Sequence, residues 1–289
     1  MKLENDDILI EVKCIGAELT RIYSKSTKLD YLWEGDSNYW NRQSPVLFPI
    51  VGLLKDKKYI VDGVEYELPQ HGFVRDSEFR IIQQKKDLVT FELLSTKETL
   101  KIYPYKFCLQ ISYRIDKNKL SVAYKVVNKD SKEILFSLGG HPGFRCPLVN
   151  GTSFEDYYLE FNEDEKPTQT FINRSLGLRK ENTSKIDLGK VINLKYPLFD
   201  DDALIYEGLK STEVSLLSSK HQHGVTFNFT DWKYLAFWTK GRDAPFICIE
   251  PWCGIADSEE GQNEFSEKLG IEKLVVGNTF DAEYSMEFF

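Results

Sequence analysis

The chain has 289 residues, of which 42% are hydrophobic and 28% charged, and its formal net charge is −8. This length supports a sizeable buried core, and the composition is that of a globular protein, which excludes an intrinsically disordered chain. The acidic balance argues against a nucleic-acid-binding surface and against a polybasic membrane anchor.

The cysteines and the N-terminus indicate a cytoplasmic protein. The five cysteines are odd in number and include no CxxC pair, which predicts reduced thiols rather than a disulfide framework. The first residues are acidic where a signal peptide needs an apolar run, and no stretch approaches the ~18 apolar residues of a membrane helix. We therefore expect neither secretion nor a membrane-spanning segment.

Short segments with alternating apolar and polar residues dominate the chain. They predict strands at residues 8–14, 107–115, 120–127 and 225–229. Within residues 59–66, Asp62-Gly63 predicts a hairpin with a type I′ turn, because glycine accepts the positive φ that this turn requires. Aromatic residues make up 13% of the chain, which also favours β-structure.

Helical signals are few. Ser258 as an N-cap, followed by glutamates, predicts a short helix over residues 258–269. The polar region 160–190 is open to two interpretations, a linker or an excursion of loops and short strands within one domain. We favour the second, because strand patterns resume on both sides. The sequence thus predicts a single all-β domain over residues 1–289, with two or more packed sheets.

Two of the four histidines stand close together in a polar stretch. His221 and His223 flank Gln222, which admits an H-x-H metal site. Their surroundings are turn-like and offer no third ligand in the sequence, so a solvated loop is the favoured interpretation. We expect no metal and no cofactor.

His141 stands at a predicted strand end, after Gly139-Gly140 and before Pro142. Glycines lack a Cβ and would let a ligand approach the backbone, so this position suits an imidazole that faces a cleft. Histidine titrates near neutral pH and can exchange a proton there. A structural histidine is the alternative interpretation.

His71, Phe73 and Arg75 share one face if their segment is an extended strand. Such a row could bond a sugar hydroxyl, stack on a sugar ring and pair with an anion. The alternative is a strand edge at which Arg75 pairs with Asp76 or with another surface acid.

Glu250 follows four apolar residues and precedes Pro251-Trp252, which is unusual for a solvated acid. Burial would raise its pKa into the range of a general base. A buried glutamate held by backbone donors is the alternative. Of the three acids at 200–202, at most one is expected to face a site.

Four motifs of this chain, which follow one another in the same order as in a known family, carry a resemblance to that family. They are Gly-Gly-His-Pro-Gly-Phe at 139–144, Ile-Glu-Pro-Trp at 249–252, residues 44–52, and His-Gly-Phe-Val-Arg-Asp at 71–76. Together they resemble the aldose 1-epimerases, or galactose mutarotase-like proteins, and specifically their LacX-like branch. The resemblance covers nearly the whole chain.

The resemblance implies a β-supersandwich, in which large antiparallel sheets surround an open cleft. It implies an isomerase that interconverts the α and β anomers of an aldose without a cofactor. In that reaction Glu250 would remove the proton of the C1 hydroxyl, and His141 would protonate the ring oxygen. His71 would hold the ring-oxygen region, and Asp202, or Asp201 by register, would bind sugar hydroxyls.

The chain also departs from the family pattern. Classical galactose mutarotases carry a sugar-binding arginine where this chain has Leu53. Arg75 instead gives an arrangement similar to hexose-6-phosphate mutarotases, and Arg42 would be a second cation. We therefore expect the ligand to be a free hexose or its 6-phosphate.

Two other functions remain open. A non-catalytic carbohydrate-binding protein could stack sugars on its tryptophans, which are Trp33, Trp40, Trp232, Trp238 and Trp252. It would not need an acid–base pair. A glycosidase-like hydrolase would need two carboxylates across one bond, and only Glu250 is well placed in the sequence.

Overall fold

A computed structural model describes residues 1–241 and 243–289. It is 49% strand and 7% helical, which confirms the all-β prediction. The strands in chain order are β1 Lys2–Glu4, β2 Ile8–Val12, β3 Leu19–Ser24, β4 Leu29–Asp30, β5 Val46–Leu47, β6 Lys58–Val61, β7 Val64–Glu67, β8 Arg80–Gln84, β9 Leu88–Leu94, β10 Phe107–Asp116, β11 Lys119–Asn128, β12 Ile134–Phe136, β13 Leu138–Gly140, β14 Gly143–Arg145, β15 Tyr157–Glu165, β16 Thr168–Asn173, β17 Leu178–Lys185, β18 Gly189–Asn193, β19 Leu204–Glu207, β20 Glu213–Ser218, β21 Val225–Asn228, β22 Tyr234–Trp238, β23 Phe246–Cys253, β24 Glu272–Leu274 and β25 Thr279–Phe288.

The helical segments are single turns that connect strands. The α-helical turn α1 spans Thr99–Ile102. Turns of 3-10 helix lie at Lys55–Lys57, Val74–Asp76, Phe154–Asp156, Tyr196–Phe199 and Phe265–Glu267. None of the helices in the described residues is long and apolar enough to span a membrane.

Two large antiparallel sheets form the body of the fold. The nine-stranded sheet has the order β18-β15-β20-β21-β25-β11-β10-β9-β8. The eight-stranded sheet has the order β17-β16-β19-β22-β23-β13-β5, and β14 also pairs with β23. A four-stranded sheet, β1-β2-β3-β4, and the small pairs β12-β24 and β6-β7 complete the fold.

The strands predicted from period-two patterns are confirmed as β2, β10, β11 and β21. The predicted hairpin is confirmed as well. Val61 pairs with Val64, and Asp62 and Gly63 have φ of 52° and 77°, as a type I′ turn requires. The polar region 160–190 contributes strands to both large sheets rather than a linker, since β15 lies in one and β16 and β17 lie in the other.

The predicted helix over residues 258–269 is wrong, because this segment forms a local turn and a hydrogen bond to a strand instead of helical hydrogen bonds. Ser258 accepts a bond from the Glu260 N–H through Oγ, over 3.0 Å, which forms a local turn. The Asn263 carbonyl accepts from the Ile60 N–H of β6 at 2.7 Å. Only the 3-10 turn Phe265–Glu267 is helical.

The eight-stranded sheet presents its two faces to different environments. In β23, Ile247, Ile249 and Cys253 belong to the main hydrophobic core, which also contains buried residues of the nine-stranded sheet. The alternate residues, Cys248 and Trp252, belong to separate clusters on the opposite face. Because successive side chains of a strand point to opposite faces, Glu250 lies on this second face, away from the main core.

Candidate active site

Glu250 is a buried acid on the central strand β23. It pairs across the sheet with Ala236 of β22, and it is 1% exposed. Neither of its carboxylate oxygens has a hydrogen-bond partner among the described residues. The alternative that backbone donors hold this glutamate is therefore wrong, and the carboxylate is left available to a ligand.

His141 lies in the two-residue connection between β13 and β14. Both of these strands pair with β23, so the sheet itself brings His141 to Glu250. The Nε2 atom of His141 lies 3.1 Å from Oε2 of Glu250. The Trp40 ring lies against the imidazole with 4.8 Å between centroids, and Trp238 meets it edge-on at 5.7 Å.

The glycines before His141 have a different role from the one expected. A Cβ on Gly139 would lie 2.7 Å from Cδ1 of Trp252, and a Cβ on Gly140 would lie 2.7 Å from the Tyr284 ring. The expectation that these glycines admit a ligand to the backbone is wrong, because side chains of this protein fill the space. The glycines instead let Trp252 and Tyr284 pack against β13.

His71 reaches the site from a turn. Its φ is 63°, and the following Gly72 has φ of 74°. The backbone N–H of Gly52 donates to Nδ1 of His71 over 3.1 Å. A neutral imidazole that accepts at Nδ1 carries its proton on Nε2, so Nε2 is the donor. The ring meets His141 edge-on, with 5.7 Å between centroids.

The prediction that His71, Phe73 and Arg75 share one strand face is wrong. The positive φ of His71 turns the chain, and a 3-10 turn begins at Val74. Phe73 consequently packs against the main core, whereas His71 and Arg75 both line the cleft.

The two arginines lie in different places. The Arg75 Nε atom is buried without a hydrogen-bond partner among the described residues, and it lies 3.9 Å from Oδ2 of Asp76. Arg42 does not line the cleft, since its guanidinium hydrogen-bonds to Asp76 at 2.9 Å. The strong partner of Asp76 is therefore Arg42, which leaves Arg75 available to the cleft.

Of the acids at 200–202, Asp202 lines the cleft and Asp201 does not. Asp202 has φ of 97°, and its Oδ1 accepts from the Ala203 N–H at 2.7 Å. Burial raises the pKa of this carboxyl.

The cleft has a volume of about 380 Å³. Sequence reasoning did not assign Gln70 and Lys240 to it. It considered Trp40 and Trp238 only as sugar-stacking residues of a binding protein, and Trp252 also as part of the motif at 249–252. The position of Gln70 next to His71 was an available signal. Lys240 follows an apolar strand and carries no such signal. Trp33 and Trp232 lie outside the cleft lining.

Burial favours the neutral forms of the central groups. It raises the pKa of Glu250 well above its ordinary value, and the charge of Asp202 adds to this effect. Burial lowers the pKa of His141 to about 3, and the charges of Arg75 and Arg42 contribute in the same direction. Burial also lowers the pKa of His71 well below its ordinary value.

One cluster in the described residues has the donor types of a metal site. The ligand atoms of His141, Cys248 and Glu250 lie within 4.8 Å of one another. The His221 and His223 pair does not belong to such a group in the described part of the chain. His221 instead hydrogen-bonds through Nε2 to the Tyr157 hydroxyl at 2.9 Å.

Comparisons with known proteins agree with this fold. The aldose 1-epimerase family model matches residues 1–263. Protein LacX (plasmid) of Lactococcus lactis subsp. lactis is 33% identical over 294 residues, which covers 99% of this chain and 98% of LacX.

Two of the similar solved structures match this chain over nearly their whole length. A galactose mutarotase related enzyme from Lactobacillus acidophilus has a TM-score of 0.96 at 34% identity, with 100% of this chain and 97% of that chain covered. A galactose mutarotase-like protein from Lactobacillus casei has a TM-score of 0.93 at 32% identity, with coverage of 100% and 99%. The chain belongs to the aldose 1-epimerase family and is an isomerase of the sugar-epimerase class.

Proposed function

We propose that the protein interconverts the α and β anomers of a hexose or hexose 6-phosphate, with Glu250 as the base and His141 as the acid. The observation that carries this proposal is the 3.1 Å approach of His141 Nε2 to Oε2 of Glu250. In the described residues this carboxylate has no hydrogen-bond partner that would hold it in a structural role.

Ring opening needs one proton removed and one delivered. Glu250 takes the proton of the C1 hydroxyl as the bond from C1 to the ring oxygen breaks, and His141 gives a proton to that oxygen. The C1 carbonyl then rotates about the C1–C2 bond. Closure reverses both transfers on the other face of the carbonyl, so the pair ends with the proton it began with.

The two groups share one proton throughout the cycle. Before ring opening, Glu250 is a carboxylate and His141 an imidazolium; with the open-chain sugar bound, both are neutral. Burial favours the neutral pair, which therefore matches the open-chain stage. A bound cyclic sugar donates its C1 hydroxyl to Glu250 and so stabilises the carboxylate needed for the first step.

Two further side chains are proposed to orient the sugar. His71 donates from Nε2 toward the ring oxygen, because Gly52 occupies its Nδ1. Asp202 accepts from sugar hydroxyls at the cleft wall. Trp238 and Trp252 provide apolar surfaces against which the ring stacks.

Two cationic side chains of the cleft could bind an anionic group carried by the sugar. Arg75 and Lys240 both line the cleft. The Arg75 Nε–H has no hydrogen-bond acceptor among the described residues, so a phosphate oxygen would satisfy it. We propose Arg75 as the main phosphate contact and Lys240 as its support. Arg42 acts at longer range, since it is paired with Asp76.

We further propose a single cytoplasmic domain. The main hydrophobic core takes residues from both large sheets, which is typical of one domain. All five cysteines are free, and free thiols persist in reducing compartments.

The test is anomer exchange measured by NMR saturation transfer on galactose, glucose and their 6-phosphates. We expect the parent protein to accelerate exchange on at least one sugar. Glu250→Gln and His141→Ala should each lower the rate by about 10²–10⁴-fold, the usual contribution of a general acid or base. His223→Ala, in a loop outside the cleft, is the matched control and should keep the parent rate.

Sugar binding without any acceleration would contradict the proposal. It would indicate a carbohydrate-binding protein that keeps the fold and lacks the chemistry. A rate that survives Glu250→Gln would reject the assigned base while leaving the epimerase activity in place.

A further inference from the structure

Cys248 lies beside the proposed acid–base pair and has no part in the proposed reaction. It stands two residues before Glu250 on β23, so the two side chains share one face of the strand. Its cross-strand partners are Trp238 of β22 and Gly143 of β14, and a Cβ added to Gly143 would lie 3.4 Å from the Cys248 Sγ. The absence of a side chain at Gly143 leaves room for the thiol. His141 lies two residues before Gly143 in the chain.

The three side chains supply the donors that zinc prefers. Thiolate sulfur, imidazole nitrogen and carboxylate oxygen are the ordinary ligands of Zn²⁺, and three protein ligands with one open position are typical of accessible zinc sites. The ligand atoms of His141, Cys248 and Glu250 lie within 4.8 Å of one another. Tetrahedral ligands are separated by about 3.3–3.8 Å, so movements of about an ångström would close the site.

A second observation also points to a missing ligand. Both carboxylate oxygens of Glu250 are buried and without a hydrogen-bond partner in the described part of the chain. A buried polar atom without a partner is costly, and a cation would satisfy it. The fourth coordination position faces the cleft, because Glu250 and His141 both line it.

The charges of the cleft permit a cation. Its charged lining residues among those described are Asp202, Glu250, Arg75 and Lys240, whose formal charges cancel when both acids are ionised. Binding of the metal as a thiolate complex adds one negative charge at Cys248. The thiol proton of Cys248 and the carboxyl proton of Glu250 leave to the solvent as the sulfur–metal and oxygen–metal bonds form.

We infer that His141, Cys248 and Glu250 form an inhibitory site for a thiophilic divalent cation such as Zn²⁺. The metal takes the lone pair of His141 and the carboxylate of Glu250, so it removes the acid and the base at once. The binding readout below is independent of the proposed function, whereas the inhibition readout rests on it.

The binding test uses Co²⁺ added to metal-free protein. We expect saturation at one equivalent, with tetrahedral absorption and a thiolate-to-cobalt charge-transfer band. Cys248→Ala should lose that band. Cys146→Ala removes an equally buried free thiol that does not belong to the cluster of His141, Cys248 and Glu250, so this matched control should keep the band. If Cys248→Ala does not fold, Cys248→Ser serves in its place.

The inhibition test adds Zn²⁺ during anomer exchange. We expect a loss of rate that a chelator reverses. Cys248→Ala should require at least about 10-fold more Zn²⁺ to lose half of its own uninhibited rate, since even outer-shell changes weaken metal sites by 10–100-fold. Absence of the cobalt band in the parent, or equal inhibition of the parent and Cys248→Ala, would overturn the inference. A cobalt band in a protein without epimerase activity would leave the metal site standing and reject the proposed function instead.

Discussion

The backbone N–H of Gly52 donates to Nδ1 of His71, and this single bond of 3.1 Å determines which nitrogen of the ring carries the proton. Gly52 itself is held by close packing. Its φ is 74°, and a Cβ there would lie 2.5 Å from the Cβ of Ala256, another residue of the cleft lining. A backbone contact thus sets the hydrogen-bonding role of a side chain in the site.

Gly52→Ala should lower both stability and activity. The change adds backbone strain at positive φ and a clash with Ala256, which displaces the donor of His71. Gly63→Ala is the matched control, because Gly63 has φ of 77° and nothing within 4 Å of an added Cβ. We expect Gly63→Ala to cost about 1–2 kcal/mol in urea unfolding and to keep activity. Equal losses in the two variants would show that packing at Gly52 is unimportant.

Glu250→Gln should stabilise the fold at high pH. The folded-state pKa of Glu250 is raised above the ordinary 4.5, so the stability that the protonated carboxyl contributes to the fold is fully present below pH 4.5. That contribution is lost as the pH rises through the folded pKa. The free energy of unfolding of the variant should therefore exceed that of the parent by at least about 1 kcal/mol at pH 8, since one pKa unit corresponds to about 1.4 kcal/mol. The difference in the free energy of unfolding should vanish near pH 4. A difference that is the same at both pH values would argue against a buried carboxyl with a raised pKa.

His141→Asn should remove a loss of stability that the parent protein shows as the pH falls into the acid range. Burial lowers the pKa of His141 from 6.5 to about 3, so its contribution is complete above 6.5 and is lost as the pH falls toward 3. The neutral asparagine has no such loss. The free energies of unfolding of the parent and the variant should therefore converge, or cross, between pH 6.5 and pH 3. Parallel curves across this range would indicate that His141 is not desolvated.

Arg75→Met should separate the two substrate classes. The change removes the guanidinium and keeps much of its apolar volume. We expect the KM for a hexose 6-phosphate to rise about 10-fold or more, while the KM and kcat for the free hexose stay near the parent values. Arg42→Met, which removes a cation outside the cleft lining, should change the KM for the phosphate much less. Equal effects on both sugars would discard the phosphate contact.

The buried pair of Lys268 and Asp257 should be costly to break. The Lys268 Nζ lies 2.7 Å from Oδ1 of Asp257 and also donates to the Ile255 carbonyl. Lys268→Met should lower the free energy of unfolding by about 3–5 kcal/mol, because it leaves Asp257 partly uncompensated. Lys166→Met breaks an exposed pair with Asp187 and should cost less than about 1 kcal/mol. Similar costs for both variants would mean that burial does not strengthen the Lys268 pair.

The strand pattern and two central residues were predictable from sequence. Alternation located the strands because one face of each strand is buried, and Asp62-Gly63 specified its turn through local backbone preference. Glu250 stood out because an acid is rarely placed within an apolar run. His141 stood out because of its glycine and proline neighbours, although the role assigned to those glycines was wrong.

The remaining features depend on contacts between distant segments. The segment after Ser258 has helix-compatible residues, yet it bonds to β6, and no local rule contains that partner. The segment from His71 to Arg75 looks extended, but the positive φ of His71 turns it. Lys240 reaches the cleft only because β22 ends there, and the pairing of Arg42 with Asp76 joins residues 34 positions apart.

The location of His141 between β13 and β14, both hydrogen-bonded to β23, makes the backbone spacing of the proposed acid and the proposed base a property of the sheet register. The backbone positions of the two residues stay fixed relative to each other while those ladders persist. Local fraying at the surface would therefore leave the chemistry intact, and thermal inactivation would coincide with cooperative melting of the whole sheet. In hydrogen–deuterium exchange, the amides of β23 would be among the last to exchange, and the catalytic lifetime of the protein would equal the lifetime of its fold.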